Sequence, residues 1–346
     1  MKIFIIPRNH EYIKQLKHHL ERAGTKGILL KPFHYSSFSN LAKLIFYRLK
    51  GVRVIHVHWL YIFPFSFVMK GFYYLCKILG IKIIWEMHNI LPHGYTKKDV
   101  NESRWFFEKV DGLIVHNIGD IARAQDTYGT RVEKLFLVVP HGNFNESYEN
   151  VVPQQEARKR LGLPQRDRII LCFGFIRKNR GYEYLISAVR DMKATTVIVA
   201  GKLHDQDVHK SLQHHQKTMP HLRLFVQWIP DAEIQLYFNA SDVVVLPYTD
   251  ITTSGVIPLA YAFARPVVTT EIGGIRDIVT PTTGVLVPPG DAEALKSGIE
   301  KIFNMDYKQM GKDAQNFAMR AFSWDENIIK ITEFYEKIAS SAAHLK

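Results

Sequence analysis

Short apolar runs rich in Val and Ile, separated by amphipathic stretches, constrain this chain more than any other feature. In the first half they lie at 2–6 (KIFII), 28–30, 54–57, 82–85, 112–116 and 136–139. In the second half they lie at 169–173, 196–200, 223–226, 242–246, 266–269 and 285–287. Runs that are apolar throughout rather than alternating fit strands buried on both faces of a parallel sheet. Strands alternating with helical stretches build βαβ units, hence an α/β fold. Two sets of six over 346 residues predict two doubly wound domains facing a central cleft. The polar, turn-rich seam at 142–164 places their boundary near residue 150. The end of the chain reads as one helix, with Ser323 as N-cap and Glu326 three residues on, a capping box. Ligands of doubly wound sheets bind beyond the carboxyl ends of the strands. The loops that matter therefore follow 2–6, 82–85, 169–173, 196–200 and 242–246.

Charge divides the chain unevenly. Residues 1–98 hold 16 Lys/Arg against 3 Asp/Glu, a balance of +13, whereas residues 99–346 hold 29 against 30, a balance of −1. The whole excess behind the net charge of +12 sits in the first hundred residues, which suggests an anionic partner. A merely soluble basic surface is the plain alternative. Between Phe33 and Tyr74 there are 13 aromatic residues, so the basic region is also the aromatic one. The stretch "WLYIFPFSFVMKGFYYLC" is apolar, but Pro64 and Lys70 interrupt it, and a span needs about 20 clean residues. "NLAKLIFYRLKG" (40–51) reads as a short basic amphipathic helix, with Lys43, Arg48 and Lys50 beside Leu44, Ile45, Phe46 and Leu49. That combination fits docking on an anionic bilayer. No nucleic-acid-binding signature accompanies it, so nucleic acid is not expected as a partner. Cys76 and Cys172 lie far apart in apolar runs, read as buried free thiols in a reducing compartment. The N-terminal apolar run stops at Pro7-Arg8, too soon for a signal peptide. These features predict a cytoplasmic protein, peripheral on the cytoplasmic face of the membrane.

Several loops offer chemistry. After 169–173 comes "GFIRKNRGYEYL", where Gly174 permits a tight turn and Arg177 and Arg180 precede a helix start. Two guanidinium groups at a helix N-terminus make a strong anion site, and a solvated basic turn is the bland reading. After 242–246 comes "PYTDITTSGV", where Thr252, Thr253 and Ser254 offer hydroxyls and Gly255 admits close approach. Ser254 is a candidate N-cap, with Pro258 in the first turn, so this is a second phosphate-ready helix start. Gly273 and Gly274 precede another short helix. After 82–85, His88, Asn89 and His93 bunch in "EMHNILPHGY". Their spacing does not set both histidines on one helical face, so no metal is expected there. His56 and His58 share one side of a strand, as core or sheet-end histidines do.

The second half resembles the GT-B glycosyltransferases of the family 4 type. The resemblance rests on "FGFIRKNRGYEYLISA", "SDVVVLPYTDITTSGVIPLAYAFARPVVTTEIGGIRDIV" and "TGVLVPPGDAEAL", in that order. It covers residues 165–340 well and is looser over 1–150, where "HVHW", "HNILPH" and "VPHGN" carry it. The resemblance implies a GT-B architecture. Residues 1–150 would bind the acceptor, 151–325 the nucleotide sugar, and helix 326–346 would pack back toward the N-terminal domain. It implies a nucleotide-diphospho-sugar donor (UDP- or GDP-sugar) with its diphosphate held by Arg177 and Arg180. Positive charge at the leaving phosphate stands in for a metal ion there, so no cofactor and no metal are expected. His88 matches the histidine that reaches the transferred sugar, and Asn89 and His93 are candidate sugar or acceptor contacts. Gly174, Thr252, Thr253, Ser254, Gly255, Gly273 and Gly274 would line the donor. The acceptor would be a membrane-bound, lipid-linked saccharide, as in glycan or exopolysaccharide synthesis. The reaction would be a retaining hexosyl transfer.

One departure stands out. The family carries two glutamates eight residues apart, and the aligned positions here are Ile251 and Leu259, with Arg265 at the usual Gly before Pro. The alternatives are a GT-B sugar-nucleotide epimerase, which needs no basic aromatic surface, or a non-catalytic nucleotide-sugar-binding relative.

Overall fold

Each of the twelve apolar runs forms a parallel strand, with ends within two residues of those read from sequence. The computed structural model describes residues 1–6, 10–29, 38–60, 66–91, 96–129, 134–251 and 253–341. The chain forms two units, one from Met1–Gly142 with the segment from Ser323 onward, the other Asn143–Phe322.

In the first unit the strands are β1 (Lys2–Ile6), β2 (Lys26–Leu29), β3 (Val52–Val57), β4 (Lys82–Glu86), β5 (Gly112–Val115) and β6 (Leu135–Val138). Their order is β2-β1-β3-β4-β5-β6, so the winding reverses between β1 and β3. The intervening helices are α1 (Glu11–Arg22), α2 (Phe38–Leu49), α3 (Ser66–Ile78), α4 (Lys97–Lys109) and α5 (Gly119–Tyr128). Thr96 and Asp99 close a full capping box at the start of α4.

The second unit carries β7 (Arg168–Phe173), β8 (Thr195–Gly201), β9 (Leu222–Val226), β10 (Val243–Leu246), β11 (Val267–Thr270) and β12 (Gly284–Val287). The order β12-β11-β10-β7-β8-β9 puts the reversal between β7 and β10. Its helices are α6 (Gln154–Arg160), α7 (Tyr182–Val189), α8 (Gln206–Gln216), α9 (Asp231–Ala240), α10 (Val256–Ala262), α11 (Ala292–Phe303) and α12 (Tyr307–Ala321). A buried ion pair ties α6 to the sheet: Arg158 Nη2 lies 2.8 Å from Asp242 Oδ2, which also accepts the Ile169 amide at 2.7 Å.

The last helix, α13 (Trp324–Ser340), belongs to the first unit. Ser323 caps it by accepting from the Glu326 amide at 3.4 Å. The chain therefore leaves the first unit at Gly142, the first residue of the polar seam and eight residues before the boundary placed near 150, because Phe144 already joins the second core. Within the first unit a Cβ at Gly142 would collide with the Trp324 ring, so α13 packs directly on the backbone there. One face of the first sheet, with Phe4, Ile55, Ile83 and Leu113, packs with Leu44 of α2 and Met69 of α3. The other face, with Ile3, Ile5, Val54, Ile84 and Ile114, is covered by α1 and α13. No helix among the described residues is long and apolar enough to cross a membrane. Cys76 and Cys172 are buried free thiols.

Candidate active site

In the second unit the loops singled out from sequence come together at the reversal point. Gly174 ends β7 with φ +116, and a Cβ there would stand 2.8 Å from Arg180 Nη2, so glycine makes the room the guanidinium uses. A short 3₁₀ turn (Lys178–Arg180) follows, and Gly181, at φ +66, leads into α7. A side chain at Gly181 would strike the Pro247 carbonyl, so the β7 and β10 loops touch there. Arg180 is buried, donates to the Tyr248 phenol at 2.8 Å and lies 4.9 Å over that ring. The Tyr248 phenol in turn pairs with Ser254 Oγ at 2.7 Å. Asn179 ties the loops further, its carbonyl accepting the Thr249 amide at 3.1 Å and its side chain donating to the Asp250 carbonyl at 2.8 Å.

The electrostatics favour an anion. The Nε–H groups of Arg177 and Arg180 have no acceptor in the structure, and among the described residues no carboxylate pairs with either guanidinium. Burial, then the neighbouring Arg180, brings Arg177 down to about 10. Burial alone would lower Arg180 too, but the Tyr248 and Tyr182 phenols outweigh it and leave it above its ordinary value. Two guanidinium groups thus stand three residues apart with no carboxylate partner among the described residues, an arrangement that suits an anion.

Other predicted positions are placed as follows. Thr253 is half-buried, and Gly255 is exposed as the N-cap of α10. Ser254 does not cap that helix, because its hydroxyl is spent on Tyr248. With seven residues, α10 is also too short to offer much dipole. Gly273, at φ +59, and buried Gly274 open a 3₁₀ turn after β11, the strand beside β10. Thr252 and His93 lie outside the described residues. Leu259 and Ile251, at the two glutamate positions, are core residues. Arg265 is structural: it donates to the Phe238 carbonyl at 2.8 Å and the Asn239 carbonyl at 3.3 Å, satisfying the end of α9. The left-handed residue after α10 is Ala264, at φ +52, so the position that suits glycine is one before Arg265.

In the first unit the carboxyl ends of β3, β4 and β5 assemble a histidine cluster around one carboxylate. Glu86, at the end of β4, is 0% exposed. His56 Nε2 lies 3.0 Å from its Oε2, and His58 Nδ1 lies 3.5 Å from the same atom. His116 Nε2 and His88 Nε2 lie 3.5 and 3.7 Å from its Oε1. His88 is engaged at both ring nitrogens, Nε2 with His58 Nδ1 at 3.0 Å and Nδ1 with His116 Nε2 at 3.1 Å. A sugar hydroxyl bonding to a nitrogen of His88 therefore has to displace one of these bonds. His56 Nδ1 meets the Tyr335 phenol of α13 at 2.7 Å, and Tyr12 of α1 packs edge-on to His88. Asn89 is half-buried.

Burial would raise Glu86, but His58, His56 and His116 outweigh it and hold the carboxyl below its usual range. Burial drives His58 and His88 well below the imidazole range, and His141 to about 3. Near neutral pH Glu86 is thus the anion and these three rings are neutral.

Sequence reasoning missed Tyr248, Glu86, His116 and Tyr12. Glu86 carried a usable signal: an acid ending an apolar strand, two residues before His88, shares its side of the sheet. Tyr248 carried less, since an aromatic after a buried strand is ordinary core.

The fold defines a class: two Rossmann-like domains of the GT-B type, with an arginine pair at the reversal point of the second. Residues 167–305 match the family model described as Glycosyl transferases group 1. The second unit is thus a GT4-like domain of the group 1 glycosyltransferases. A D-inositol 3-phosphate glycosyltransferase of Corynebacterium urealyticum is 24% identical over 67% of this chain and 58% of its own length. The chain thus matches little more than half the length of that relative. A putative teichuronic acid biosynthesis glycosyltransferase of Bacillus subtilis is 26% identical over 44% of this chain and 37% of its own. Among solved structures, sucrose-phosphate synthase from Thermosynechococcus elongatus aligns with TM-score 0.79 and 18% identity over 99% of this chain and 100% of that one. Anabaena HepE in complex with UDP-glucose aligns at 0.77 and 17% over 97% and 100%.

Proposed function

We propose that the protein transfers a sugar from a nucleotide-diphospho-sugar to a membrane-associated, lipid-linked saccharide, with retention of configuration. The observation that carries this reading is the Arg177–Arg180 pair at the β7/β10 reversal, Arg180 buried and Arg177 half-buried, with no carboxylate paired to either among the described residues. Leaving-group charge builds on the diphosphate as the glycosidic bond breaks, and fixed cations stabilise it there without a metal ion. UDP-glucose, which the Anabaena neighbour binds, makes a UDP-sugar the first donor to try. With Leu259 and Ile251 in the core, the ribose and sugar hydroxyls fall to Thr252, Thr253, Gly255 and the Gly273-Gly274 turn. His88 and Asn89 are assigned to the sugar in this reading, and His93 to the acceptor.

The test begins with thermal shifts of the purified chain against UDP-, GDP- and ADP-sugars, followed by transfer assays with a polyprenyl-linked saccharide. One donor class should raise the melting temperature. Arg177→Ala and Arg180→Ala should each lower turnover by about 100-fold or more. Unchanged turnover in both variants would remove the arginines from the mechanism. Donor binding without transfer to any acceptor would indicate a binding protein, and conversion of the donor alone an epimerase.

A further inference from the structure

We propose that Glu86, His88 and His116 form a binding site for one first-row divalent cation, zinc foremost, in the first unit. The three side chains come from the ends of adjacent strands β4 and β5 and are all buried. Each offers a ligand atom, and the three atoms lie within 4.8 Å of one another. His88 Nδ1 and His116 Nε2 are 3.1 Å apart, and His116 Nε2 and Glu86 Oε1 are 3.5 Å apart. A tetrahedral zinc ion with bonds of about 2.0–2.1 Å spaces its ligand atoms about 3.4 Å apart, and the two separations bracket that value.

Proton placement supports the same geometry. His116 Nδ1 lies 3.0 Å from the Val139 carbonyl, which can only accept, so Nδ1 carries the proton. His116 therefore presents Nε2 both to His88 Nδ1 at 3.1 Å and to Glu86 Oε1 at 3.5 Å. No Lys or Arg pairs with Glu86 among the described residues, and its carboxylate meets only the histidines and the Tyr12 phenol. A cation held by these three atoms is a full counterion for the buried carboxylate. An ion on His88 Nδ1 leaves Nε2–H to donate to His58 Nδ1 at 3.0 Å. Both histidine ligands then have the outer hydrogen-bond partner that metal-bound imidazoles almost always carry. His56, 3.0 Å from Glu86 Oε2, supports the other carboxylate oxygen and is itself held by Tyr335. The alternative trio of His56, His58 and Glu86 is poorer, because His58 Nε2 would then have no such partner. Two imidazoles and one carboxylate leave a fourth position for water, the donor set that suits zinc and non-haem iron(II). With Nδ1 on the ion and Nε2–H on His58, His88 has no ring nitrogen left for a sugar hydroxyl, so an ion here replaces the sugar contact proposed for His88 above.

The experiment uses the full chain with any purification tag removed, stripped by chelator and titrated with cobalt(II) while visible absorption is read. Elemental analysis of untreated protein accompanies it. One ion per chain is expected, with the absorption of a low-coordinate nitrogen–oxygen site, and zinc should displace it and raise the melting temperature. Glu86→Gln and His116→Gln should weaken binding at least 100-fold, beyond the loss usual for outer-sphere partners. A His214→Ala/His215→Ala double variant, which removes a surface pair on α8, should bind as the wild type does. If Glu86→Gln does not fold, the stoichiometry and spectrum of the wild type decide alone. No stoichiometric ion in the wild type, equal loading of folded Glu86→Gln, or loss of binding only in the α8 double variant would each overturn the assignment.

Discussion

At the scale of single residues, Tyr248 organises the arginine loop proposed as the donor site. Its phenol accepts from Arg180 and pairs with Ser254, and its ring lies under the guanidinium. One side chain thus fixes a group from the β7 loop and a group from the β10 loop. Tyr248→Phe keeps the ring and removes the oxygen, leaving Arg180 Nη1 and Ser254 Oγ buried without that partner. Leaving buried polar groups unpaired costs about 1–3 kcal/mol, more where one is charged. The variant should melt several degrees lower and bind its nucleotide donor roughly 10-fold more weakly, since a 1.4 kcal/mol change is a factor of ten. Ser254→Ala should act through the same contact. A double-mutant cycle with Tyr248→Phe, read by thermal melts, should therefore be non-additive. Additivity of the two changes would show that the phenol and the hydroxyl stabilise the site separately.

Among the elements, α4 and β6 carry a pH dependence. Lys134, just before β6, donates to the Phe107 and Val110 carbonyls at the end of α4, at 2.7 and 2.6 Å. A cation there satisfies orphan carbonyls and complements the helix dipole. Its half-burial nevertheless brings its pKa down to about 7. Between about pH 7 and the unfolded value of about 10.4 the unfolded chain holds a proton that the folded chain has released. Stability therefore rises with pH across that window, by at most about 1.4 kcal/mol per unit. Lys134→Met should flatten that rise, measured as urea midpoints from pH 7 to 10. An unchanged slope would mean that Lys134 keeps its proton. The elements themselves were the most legible part of the sequence, because a strand buried on both faces has to be apolar throughout. Arg177 and Arg180 were legible as a basic pair after a buried strand, but the Tyr248 phenol that holds Arg180 was not. The histidine cluster was not, since His56, Glu86 and His116 come from three strands and only the sheet register brings them together. Ser254 misled because a serine before a helix usually caps it, and here a tyrosine six residues earlier takes its hydroxyl.

For the whole molecule, the uneven charge and the exposed apolar residues coincide in the first unit. Ile45, Phe46 and Leu49 of α2 are exposed, as are Phe67, Tyr74 and Ile78 of α3, with Leu49 and Ile78 each at 82%. The two helices are tied where α3 ends, by Arg48 Nε donating to the Leu79 carbonyl at 2.6 Å. Lysines lie over their aromatic rings, Lys50 over Phe46 and Lys77 over Tyr73. Exposed apolar side chains beside lysines suit the boundary between lipid headgroups and acyl chains, which is where a lipid-linked acceptor presents its sugar. The proposed membrane role therefore has two separable parts. Charge attraction, from a segment with a balance of +13 over residues 1–98, should be screened by salt. Insertion of Leu49 and Ile78 should not be screened. Co-sedimentation with vesicles rich in anionic lipid should fall as salt rises from 50 to about 500 mM, where the screening length drops below 10 Å. Leu49→Glu with Ile78→Glu should weaken binding at every salt concentration and leave the melting temperature within about a degree, because neither side chain is part of a core. Absence of vesicle binding at low salt, or binding indifferent to both salt and the double variant, would remove the membrane from the proposed function and leave a transferase acting on a soluble acceptor.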